Sequence, residues 1–362
     1  MSDPVKKIRV LVVDDSAYNR RALSSVLASS DRIEVIGTAF DGEDAIRKVL
    51  KLKPDAVTLD LEMPRMDGFA LLRWLMVNHP VPVFVVSARE SNRSVFKALD
   101  LGAADFIVKP QSVVPNMELI REEIVAKIAG VERMDVSKLA KRAFEAPRLA
   151  PTPAPKPVED SVPGRVDGII VVASSTGGPP AVQQLLTVLA PALTRTAIVI
   201  AQHMPPVFTA LFAERLDKLL PLRVKEADPG EQLRPGHAYV LPGGRCARVI
   251  AAPGGAAFEL REKLPQERYA PNADWLFISA AALYGQSALG VVLTGMGDDG
   301  AEGSAALRHA GAEVFAEGRE TAVIFGMPQE ALKVAGVQSW PLPELSAAAS
   351  GWATRVSSRK SD

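Results

Sequence analysis

The segment VVASSTGGPP, residues 171–180, joins an apolar run to a polar, glycine-rich turn. The apolar part is typical of a buried β-strand, and the adjacent glycines Gly177 and Gly178 allow a tight turn into a helix. Neither the dinucleotide pattern G-x-G-x-x-G, the phosphate-loop pattern G-x-x-x-x-G-K-S/T nor the hydrolase elbow G-x-S-x-G occurs in this segment. It therefore predicts a strand–turn–helix unit that carries two candidate nucleophiles, Ser174 and Ser175.

The same alternation of strands and helices continues through the C-terminal half. Strands are predicted at 168–174, 196–202, 237–242, 287–295 and 312–318, helices at 180–189, 208–220, 272–285 and 328–336, and a β-hairpin at 241–262. Strands that are apolar throughout and alternate with helices indicate a parallel sheet covered on both faces. The fold class predicted here is a doubly wound, mainly parallel α/β domain.

The N-terminal half follows the same pattern on a smaller scale. Five apolar runs are predicted as strands, with helical spacing between them, at 8–15, 33–40, 56–60, 81–88 and 105–110. Five such units make a small doubly wound domain of the flavodoxin-like type, whose ligands are expected at the carboxyl ends of the strands.

Composition sets the limits of these two domains. The chain has 362 residues, zero formal net charge and a single cysteine, Cys246. This length suits two domains, and the charge gives no reason to expect nucleic acid or anionic membrane as a partner. One cysteine excludes an intrachain disulfide framework, and neither a signal peptide nor an apolar run long enough to span a membrane is found, so we expect a cytoplasmic protein without membrane insertion.

A stretch crowded with proline and alanine, residues 145–164, separates the two halves. It has too few large apolar side chains to form a core and is typical of a semi-extended linker. We predict domains at 1–134 and 166–355, joined by a linker at 135–165.

Polar side chains follow four of the five N-terminal strands. They are Asp14, Asp15, Asp60, Ser87 and Lys109. Carboxylates that converge on one sheet edge repel each other unless a hard cation such as Mg²⁺ neutralises them. Asp60 could then accept a phosphoryl group, with Lys109 and Ser87 supplying charge and a hydrogen bond. The alternative, that these aspartates only cap helices, explains one or two of the five positions.

The motifs VDDS, LDLEMPRMDG, SA and KP stand at these strand ends, and residues 6–125 resemble the receiver domain of bacterial response regulators. The resemblance implies that Asp60 is the phosphoacceptor and that Asp14, Asp15 and Asp60 hold Mg²⁺. It also implies a switch formed by Ser87, Lys109 and Phe106, and a cis peptide bond before Pro110.

A general base and an orienting acid for the serine pair can be sought at neighbouring strand ends. Of the four histidines, His203 alone follows directly after a buried apolar strand, one βαβ length beyond the serines. Asp298 and Asp299 follow another predicted strand in a glycine-rich loop, although Asp-Gly is also a common turn former. Spacing does not distinguish Ser174 from Ser175, or Asp298 from Asp299.

Residues 166–345 resemble the catalytic domain of the chemotaxis protein-glutamate methylesterase (CheB) family, in the motifs ASSTGG, QHMPPVFT and LTGMGDDG. The resemblance assigns Ser175 as nucleophile, His203 as base and Asp299 as acid, with Thr176, Gly177 and Met296 as oxyanion or active-site neighbours. Two features depart from the family pattern. Ala173-Ser174 replaces Gly-Ala, and Cys246 stands where histidine is common.

The whole chain resembles the receiver–linker–esterase arrangement of this family. This implies a phosphorylation-activated serine hydrolase that demethylates glutamate γ-methyl esters on chemoreceptors and deamidates receptor glutamines, without a cofactor for the esterase chemistry. The implied partners are methyl-accepting chemoreceptors as substrate and a chemotaxis histidine kinase as phosphodonor. The alternatives are a non-catalytic, phospho-dependent adaptor in a parallel two-component pathway and a transcriptional regulator, for which no helix-turn-helix or basic face is found.

Overall fold

The computed structural model describes residues 6–87, 92–110, 116–145 and 166–358. By its internal contacts the chain divides into two compact units, Met1–Pro147 and Arg148–Asp362, which are taken in turn below. In the described part of the chain, no helix has both the length and the apolar character needed to cross a bilayer.

The N-terminal unit is built on a five-stranded parallel sheet with strand order β2-β1-β3-β4-β5. Every residue of β3 and β4 is buried, as expected for central strands covered on both faces. The strands are β1 (Ile8–Val13), β2 (Ile33–Ala39), β3 (Ala56–Leu59), β4 (Val83–Ser87) and β5 (Asp105–Val108). The helices are α1 (Ala17–Ala28), α2 (Gly42–Leu52), α3 (Gly68–Asn78), α4 (Asn92–Asp100), α5 (Arg121–Ala129) and α6 (Val136–Glu145), with 3₁₀ turns at Met117–Ile120 and Gly130–Arg133.

Helix α6 lies where the sequence predicts the start of the linker. Its residues Leu139 and Ala140 are buried, and the helix packs against α3, so this segment belongs to the N-terminal unit. VSKLA supplies an apolar helical stripe before the proline-rich stretch begins, so α6 occupies the first part of the segment predicted as a linker from residue 135. The rest of the predicted linker, 146–165, lies outside the described residues.

The C-terminal unit contains a seven-stranded parallel sheet with order β14-β13-β12-β6-β7-β9-β8, and a separate antiparallel hairpin, β10–β11. Its strands are β6 (Gly168–Ser174), β7 (Thr196–Gln202), β8 (Arg223–Glu226), β9 (His237–Val240), β10 (Arg245–Ala252), β11 (Gly255–Glu262), β12 (Ala288–Val292), β13 (Glu313–Glu317) and β14 (Gln338–Trp340). Its helices are α7 (Gly178–Leu189), α8 (Phe208–Leu219), α9 (Ala273–Tyr284), α10 (Ala301–His309), α11 (Met327–Ala331) and α12 (Leu342–Ser358), with 3₁₀ turns at Ala190–Ala192 and Gly285–Ser287. The doubly wound, mainly parallel architecture predicted for both halves is confirmed.

Strand β6 lies at the point where the direction of winding reverses. Its neighbours are β7, the next strand in the chain, and β12, which returns on the other side. The register pairs Ser174 with Gln202 on β7 and Ala173 with Val292 on β12. In such sheets, ligands bind at the carboxyl ends of the strands beside the reversal. The ends of β6, β7 and β12 are therefore where a site is expected.

Asp274, in the first turn of α9, caps the neighbouring helix α10. Its Oδ1 accepts hydrogen bonds from the Gly300 N–H over 3.0 Å and from the Gly303 N–H over 2.6 Å. Helix N-termini have N–H groups without intrahelical partners, and a carboxylate stabilises them. Burial nevertheless raises the pKa of Asp274 to about 6, and the charge of Asp299 acts in the same direction.

Asp274→Asn tests this ionisable cap. Because the folded pKa exceeds the ordinary carboxyl value of about 4, the stability contributed by proton binding at Asp274 is lost as the pH rises through about 6. Asparagine keeps an accepting oxygen but cannot ionise. We therefore expect the Tm of the variant, relative to that of the wild type, to be higher at pH 7 than at pH 4.5 in differential scanning calorimetry of the full chain. The control is Glu344→Gln, which removes an exposed carboxylate from the first turn of a different helix, α12. A difference for Asp274→Asn that does not change with pH would contradict the raised pKa of Asp274.

Candidate functional site

The turn between β6 and α7 has a backbone fixed by hydrogen bonds and by two glycines. The Ser175 N–H donates to the Thr294 carbonyl over 3.1 Å, and the Gly178 N–H donates to the Ser175 carbonyl over 2.8 Å. Gly177 has φ of 76°, in the left-handed region, and a Cβ at Gly178 would lie 2.2 Å from the Gln202 amide oxygen. Both positions therefore require glycine, and together they bring Ser175 to the start of α7.

The two candidate serines have different surroundings. Ser174 is fully buried, and its hydroxyl donates to Gln202 Oε1 over 2.7 Å. Ser175 is partly exposed at the same sheet edge. The Ser174 hydroxyl, one of the two departures from the family pattern, is thus hydrogen-bonded in the interior. Ser175, by contrast, is accessible to solvent.

Gln202 ties the ends of β6 and β7 together. Its Nε2 donates to the carbonyls of Ser175 and His203 over 3.0 and 3.1 Å, while its Oε1 accepts from Ser174. A buried amide costs stability unless its donors and acceptor are all satisfied, and these contacts satisfy them. Gln202 is not among the site residues predicted from the sequence. The signal it offers is a glutamine at the end of an otherwise apolar strand.

His203 follows β7 and contacts the acid predicted for it. The distance from its Nε2 to Asp299 Oδ2 is 2.7 Å, and its backbone N–H donates to the Ser174 carbonyl over 2.9 Å. The ring nitrogen in this contact is Nε2, so Nδ1 is not the nitrogen that contacts Asp299. The ends of β6, β7 and β12 therefore bring Ser175, His203 and Asp299 to one edge of the sheet.

The two adjacent aspartates differ in the same way as the two serines. Asp299 is 1% exposed and accepts hydrogen bonds from the Ala273 and Asp274 N–H groups, over 2.8 and 2.9 Å, at the N-terminus of α9. Asp298 is exposed and accepts from the Tyr269 hydroxyl over 2.9 Å. Of the two aspartates, Asp299 is the one that contacts His203. Its negative charge is stabilised by the N-terminus of α9.

Tyr269 lies over His203 and is a second site residue not predicted from the sequence. The two rings are stacked, with centroids 4.8 Å apart and planes inclined by 6°. Burial raises the pKa of the Tyr269 phenol to about 12, and its hydrogen bond to Asp298 adds to this effect. The phenol is therefore neutral at physiological pH.

The predicted neighbours of the nucleophile lie on two loops. Thr176 is buried, and its carbonyl accepts from the Thr294 hydroxyl over 3.1 Å, while Gly177 is the N-cap of α7. Met296 is partly exposed on the loop after β12. A Cβ at the preceding residue, Gly295, would lie 2.8 Å from Ser175 Cβ, so this loop runs close to the nucleophile candidate.

Cys246, the second departure from the family pattern, is buried. Its Sγ lies 3.6 Å from Glu267 Oε2 and 3.8 Å from the Tyr269 carbonyl. Burial raises the pKa of the thiol to about 11. The cysteine is therefore a neutral interior group that supports the segment carrying Tyr269.

The acidic cluster predicted in the N-terminal unit is present at the ends of β1 and β3. Ligand oxygens of Asp14, Asp15 and Asp60 lie within 4.8 Å of one another. Lys109 Nζ donates to Asp14 over 2.8 Å and also to Asp60. Burial raises the pKa of Asp60, against the opposing effect of Lys109. For Lys109, burial acts to lower the pKa, but Asp60 and Asp14 outweigh it and raise the value.

The predicted switch residues Ser87 and Phe106 lie on β4 and β5, the two strands that follow β3 in the sheet. Ser87 is buried at the end of β4, where its carbonyl accepts from the Lys109 N–H over 2.9 Å. Phe106 is buried on β5, with the Lys127 ammonium 5.3 Å from its ring centroid. The expected cis bond before Pro110 is wrong. The cis peptide found within the described residues is Ala270–Pro271, and Lys109–Pro110 has the trans form that most X–Pro bonds adopt.

Comparison with known proteins matches both units. Residues 170–348 match the family model described as CheB methylesterase, and residues 10–121 match the response regulator receiver domain. A protein-glutamate methylesterase/protein-glutamine glutaminase of Geobacter sulfurreducens is 44% identical over 347 residues, covering 91% of this chain and 92% of the relative. Relatives with the same description in Myxococcus xanthus and Pyrococcus abyssi are 46% and 41% identical, covering 91% and 93% of this chain and 92% and 91% of the relatives. The chain therefore belongs to the CheB family of protein-glutamate methylesterases/protein-glutamine glutaminases that carry an N-terminal receiver domain.

Proposed function

We propose that this chain is a phosphorylation-activated serine hydrolase. It demethylates glutamate γ-methyl esters on methyl-accepting chemotaxis receptors and deamidates specific receptor glutamines. The observation that carries the proposal is the 2.7 Å contact between His203 Nε2 and the buried Asp299 carboxylate, at the strand edge that bears Ser175. A buried carboxylate fixes the imidazole tautomer and stabilises the imidazolium that forms during acyl transfer.

The roles of the three residues follow from their protonation chemistry. Ser175 Oγ attacks the side-chain carbonyl of the substrate and transfers its proton to His203. We assign the ring proton to Nε2, which contacts Asp299, and this leaves Nδ1 as the accepting nitrogen. His203 returns the proton to the leaving group, which departs as methanol from an ester or as ammonia from an amide. Water then hydrolyses the acyl-enzyme with the same base, which releases the glutamate carboxylate and restores Ser175.

The oxyanion of each tetrahedral intermediate is assigned to main-chain N–H groups near Thr176. The start of α7, with Gly177 at its N-cap, supports this assignment because a helix N-terminus carries partial positive charge. Met296, on the loop beside Ser175, then forms part of the substrate side of the site. The esterase chemistry proposed here uses protein groups alone.

The receiver unit controls the hydrolase through phosphorylation of Asp60. Asp14, Asp15 and Asp60 supply clustered carboxylate oxygens, the donor type that Mg²⁺ prefers, and would hold the ion there. The ion supplies positive charge to the phosphoryl oxygens when it is bound. Lys109 contributes a second positive charge, and Ser87 and Phe106 are assigned to the switch that responds to the new phosphoryl group.

The partners proposed for this chain are chemoreceptors as substrate and a chemotaxis histidine kinase as phosphodonor, in the cytoplasm. The receiver is proposed to extend to the end of α6 at Glu145 and the esterase to begin at about residue 166. A non-catalytic adaptor would have no use for a buried carboxylate hydrogen-bonded to a histidine beside an accessible serine, so this alternative is not favoured.

Replacement of each serine by alanine distinguishes the nucleophile. Ser175→Ala is expected to reduce kcat for a γ-methyl glutamyl peptide by a factor on the order of 10⁴ or more, the usual cost of losing a triad nucleophile. Ser174→Ala should keep most of the activity, because its hydroxyl bonds only Gln202 among the contacts described. Methanol release by the full chain is the measurement. Loss of activity in the Ser174 variant with activity retained in the Ser175 variant would reverse the assignment.

Asparagine substitutions test the acid in the same way. Asp299→Asn is expected to lower kcat by a factor of roughly 10² to 10⁴, because the amide no longer stabilises the imidazolium. Asp298→Asn should have a mild effect, since asparagine still offers an oxygen to the Tyr269 hydroxyl. Both are measured as kcat for the same peptide, with folding checked by circular dichroism. Equal losses in the two variants would refute the choice of Asp299.

Asp60→Asn tests the phosphoacceptor. We expect the wild type to take up phosphate from a small acyl-phosphate donor in the presence of Mg²⁺, and to lose this reaction when EDTA is added or Asp60 is replaced. Asp67→Asn is the matched control, because Asp67 is an exposed cap of α3 and asparagine caps helices equally well. Intact-mass and peptide mass spectrometry measure the product. Phosphate found on Asp55 or Asp67 would contradict the assignment.

A further inference from the structure

Tyr269 reaches His203 from a segment far away in sequence, between the β10–β11 hairpin and α9. Its ring lies parallel to the imidazole, at a centroid distance of 4.8 Å. Parallel stacking against a histidine ring restrains rotation of that ring and brings an electron-rich face against it. Tyr269 therefore contacts the face of the imidazole, whereas Asp299 contacts its edge at Nε2.

The phenol is in contact with the side chains of Asp298 and Arg268 and lies close to the backbone of Gly297. Its hydroxyl donates to Asp298 Oδ1 over 2.9 Å, and the Arg268 guanidinium lies 5.0 Å from its ring centroid while pairing with Asp298 over 3.5 Å. A Cβ at Gly297, whose φ is 103°, would lie 2.2 Å from the tyrosine oxygen. The loop that carries the two aspartates is therefore shaped around this ring.

The segment that carries Tyr269 is also anchored to the hairpin. The Gly244 N–H donates to the Ala270 carbonyl over 3.2 Å, and the buried Cys246 thiol lies 3.8 Å from the Tyr269 carbonyl. Arg261 forms a two-point ion pair with Glu267, one contact of which is 2.7 Å. The segment that carries the ring is thus fixed by contacts with the β10–β11 hairpin.

We propose that Tyr269 is a positioning residue for His203, which fixes the plane of the imidazole and stabilises its protonated form during acyl transfer. This inference rests on the proposed function for its effect on turnover, but the stabilisation of the imidazolium is a property of the folded protein. Among the described residues, the charged and titratable groups in contact with the His203 ring or with the phenol stacked on it are Asp299 at Nε2, Tyr269 on its face, and Asp298 and Arg268 behind the phenol. Asp298 and Arg268 pair with each other. The substitution that tests the proposal must therefore remove the aromatic ring at position 269.

The experiment compares Tyr269→Phe, which keeps the aromatic face, with Tyr269→Leu, which removes it. Cation–π contacts of this kind shift a pKa by about 0.5 pH unit or more. We expect the pKa of His203 in Tyr269→Leu to fall by about that amount, measured by NMR titration of the imidazole in the full chain and assigned with His203→Gln. In Tyr269→Phe the pKa should stay within about 0.2 unit of the wild-type value, because the ring face remains.

The pH profile of kcat gives the second measurement. Tyr269→Leu should move the acid limb to lower pH and reduce the plateau roughly tenfold, with KM changing less, since a misoriented base affects the chemical step. If Tyr269 had a purely structural role, Tyr269→Leu would lower activity without changing the His203 pKa measured by NMR or the pKa of the acid limb of the kcat profile. If Tyr269→Leu is poorly folded, fluorinated phenylalanines at position 269 keep the shape while weakening the electron-rich face, and the pKa should fall with each added fluorine.

The outcomes are separable. An unchanged His203 pKa in Tyr269→Leu and in the fluorinated series overturns the proposal, as does a loss in Tyr269→Phe equal to that in Tyr269→Leu, which would assign the effect to the hydroxyl bond with Asp298. If the wild type hydrolyses no γ-methyl ester but the pKa still falls in Tyr269→Leu, the proposed function fails while the ring contact stands.

Discussion

A single buried negative charge determines how the C-terminal unit is arranged around its site. An ionised carboxylate removed from water is strongly destabilising unless it is surrounded by donors, and Asp299 receives two N–H groups from the start of α9 in addition to His203. The start of α9 must therefore lie against the loop after β12. Asp274, next in that helix turn, then caps α10, so the helix that follows the loop is fixed by the helix that stabilises the charge. The site also depends on the strand order, which places β6 between β7 and β12.

The two units use the same sheet edge for different electrostatic purposes. In the N-terminal unit, carboxylates that follow β1 and β3 contact the Lys109 ammonium, and their oxygens are the donor type that Mg²⁺ prefers. In the C-terminal unit, the Asp299 carboxylate accepts hydrogen bonds from the N–H groups at the start of α9 and also contacts His203. Both depend on parallel strands that bring distant residues together where the strands end.

The sequence predicts the central strands well because they are apolar throughout, and it predicts their terminal polar residues for the same reason. The edge strands β8 and β14 have no such signal, since RVKE is charged and QSW is only three residues long. Residue patterns alone left Ser174 and Ser175 equivalent. Their difference depends on the Gln202 amide, which belongs to the adjacent strand. Tyr269 could not be anticipated either, because its contact with His203 depends on how the hairpin and the segment after it fold back.

The reciprocal contacts between α9 and α10 also bear on how the molecule loses activity. Each helix end carries an aspartate that satisfies the N–H groups of the other element, so neither helix can fray alone without leaving a carboxylate of the site without its partners. The two helices and the loop between β12 and α10 should consequently open as one cooperative unit, in the sense used for native-state hydrogen exchange. Heat inactivation then follows the opening of that unit, and a protein whose sheet is still intact will already have released its histidine from the acid.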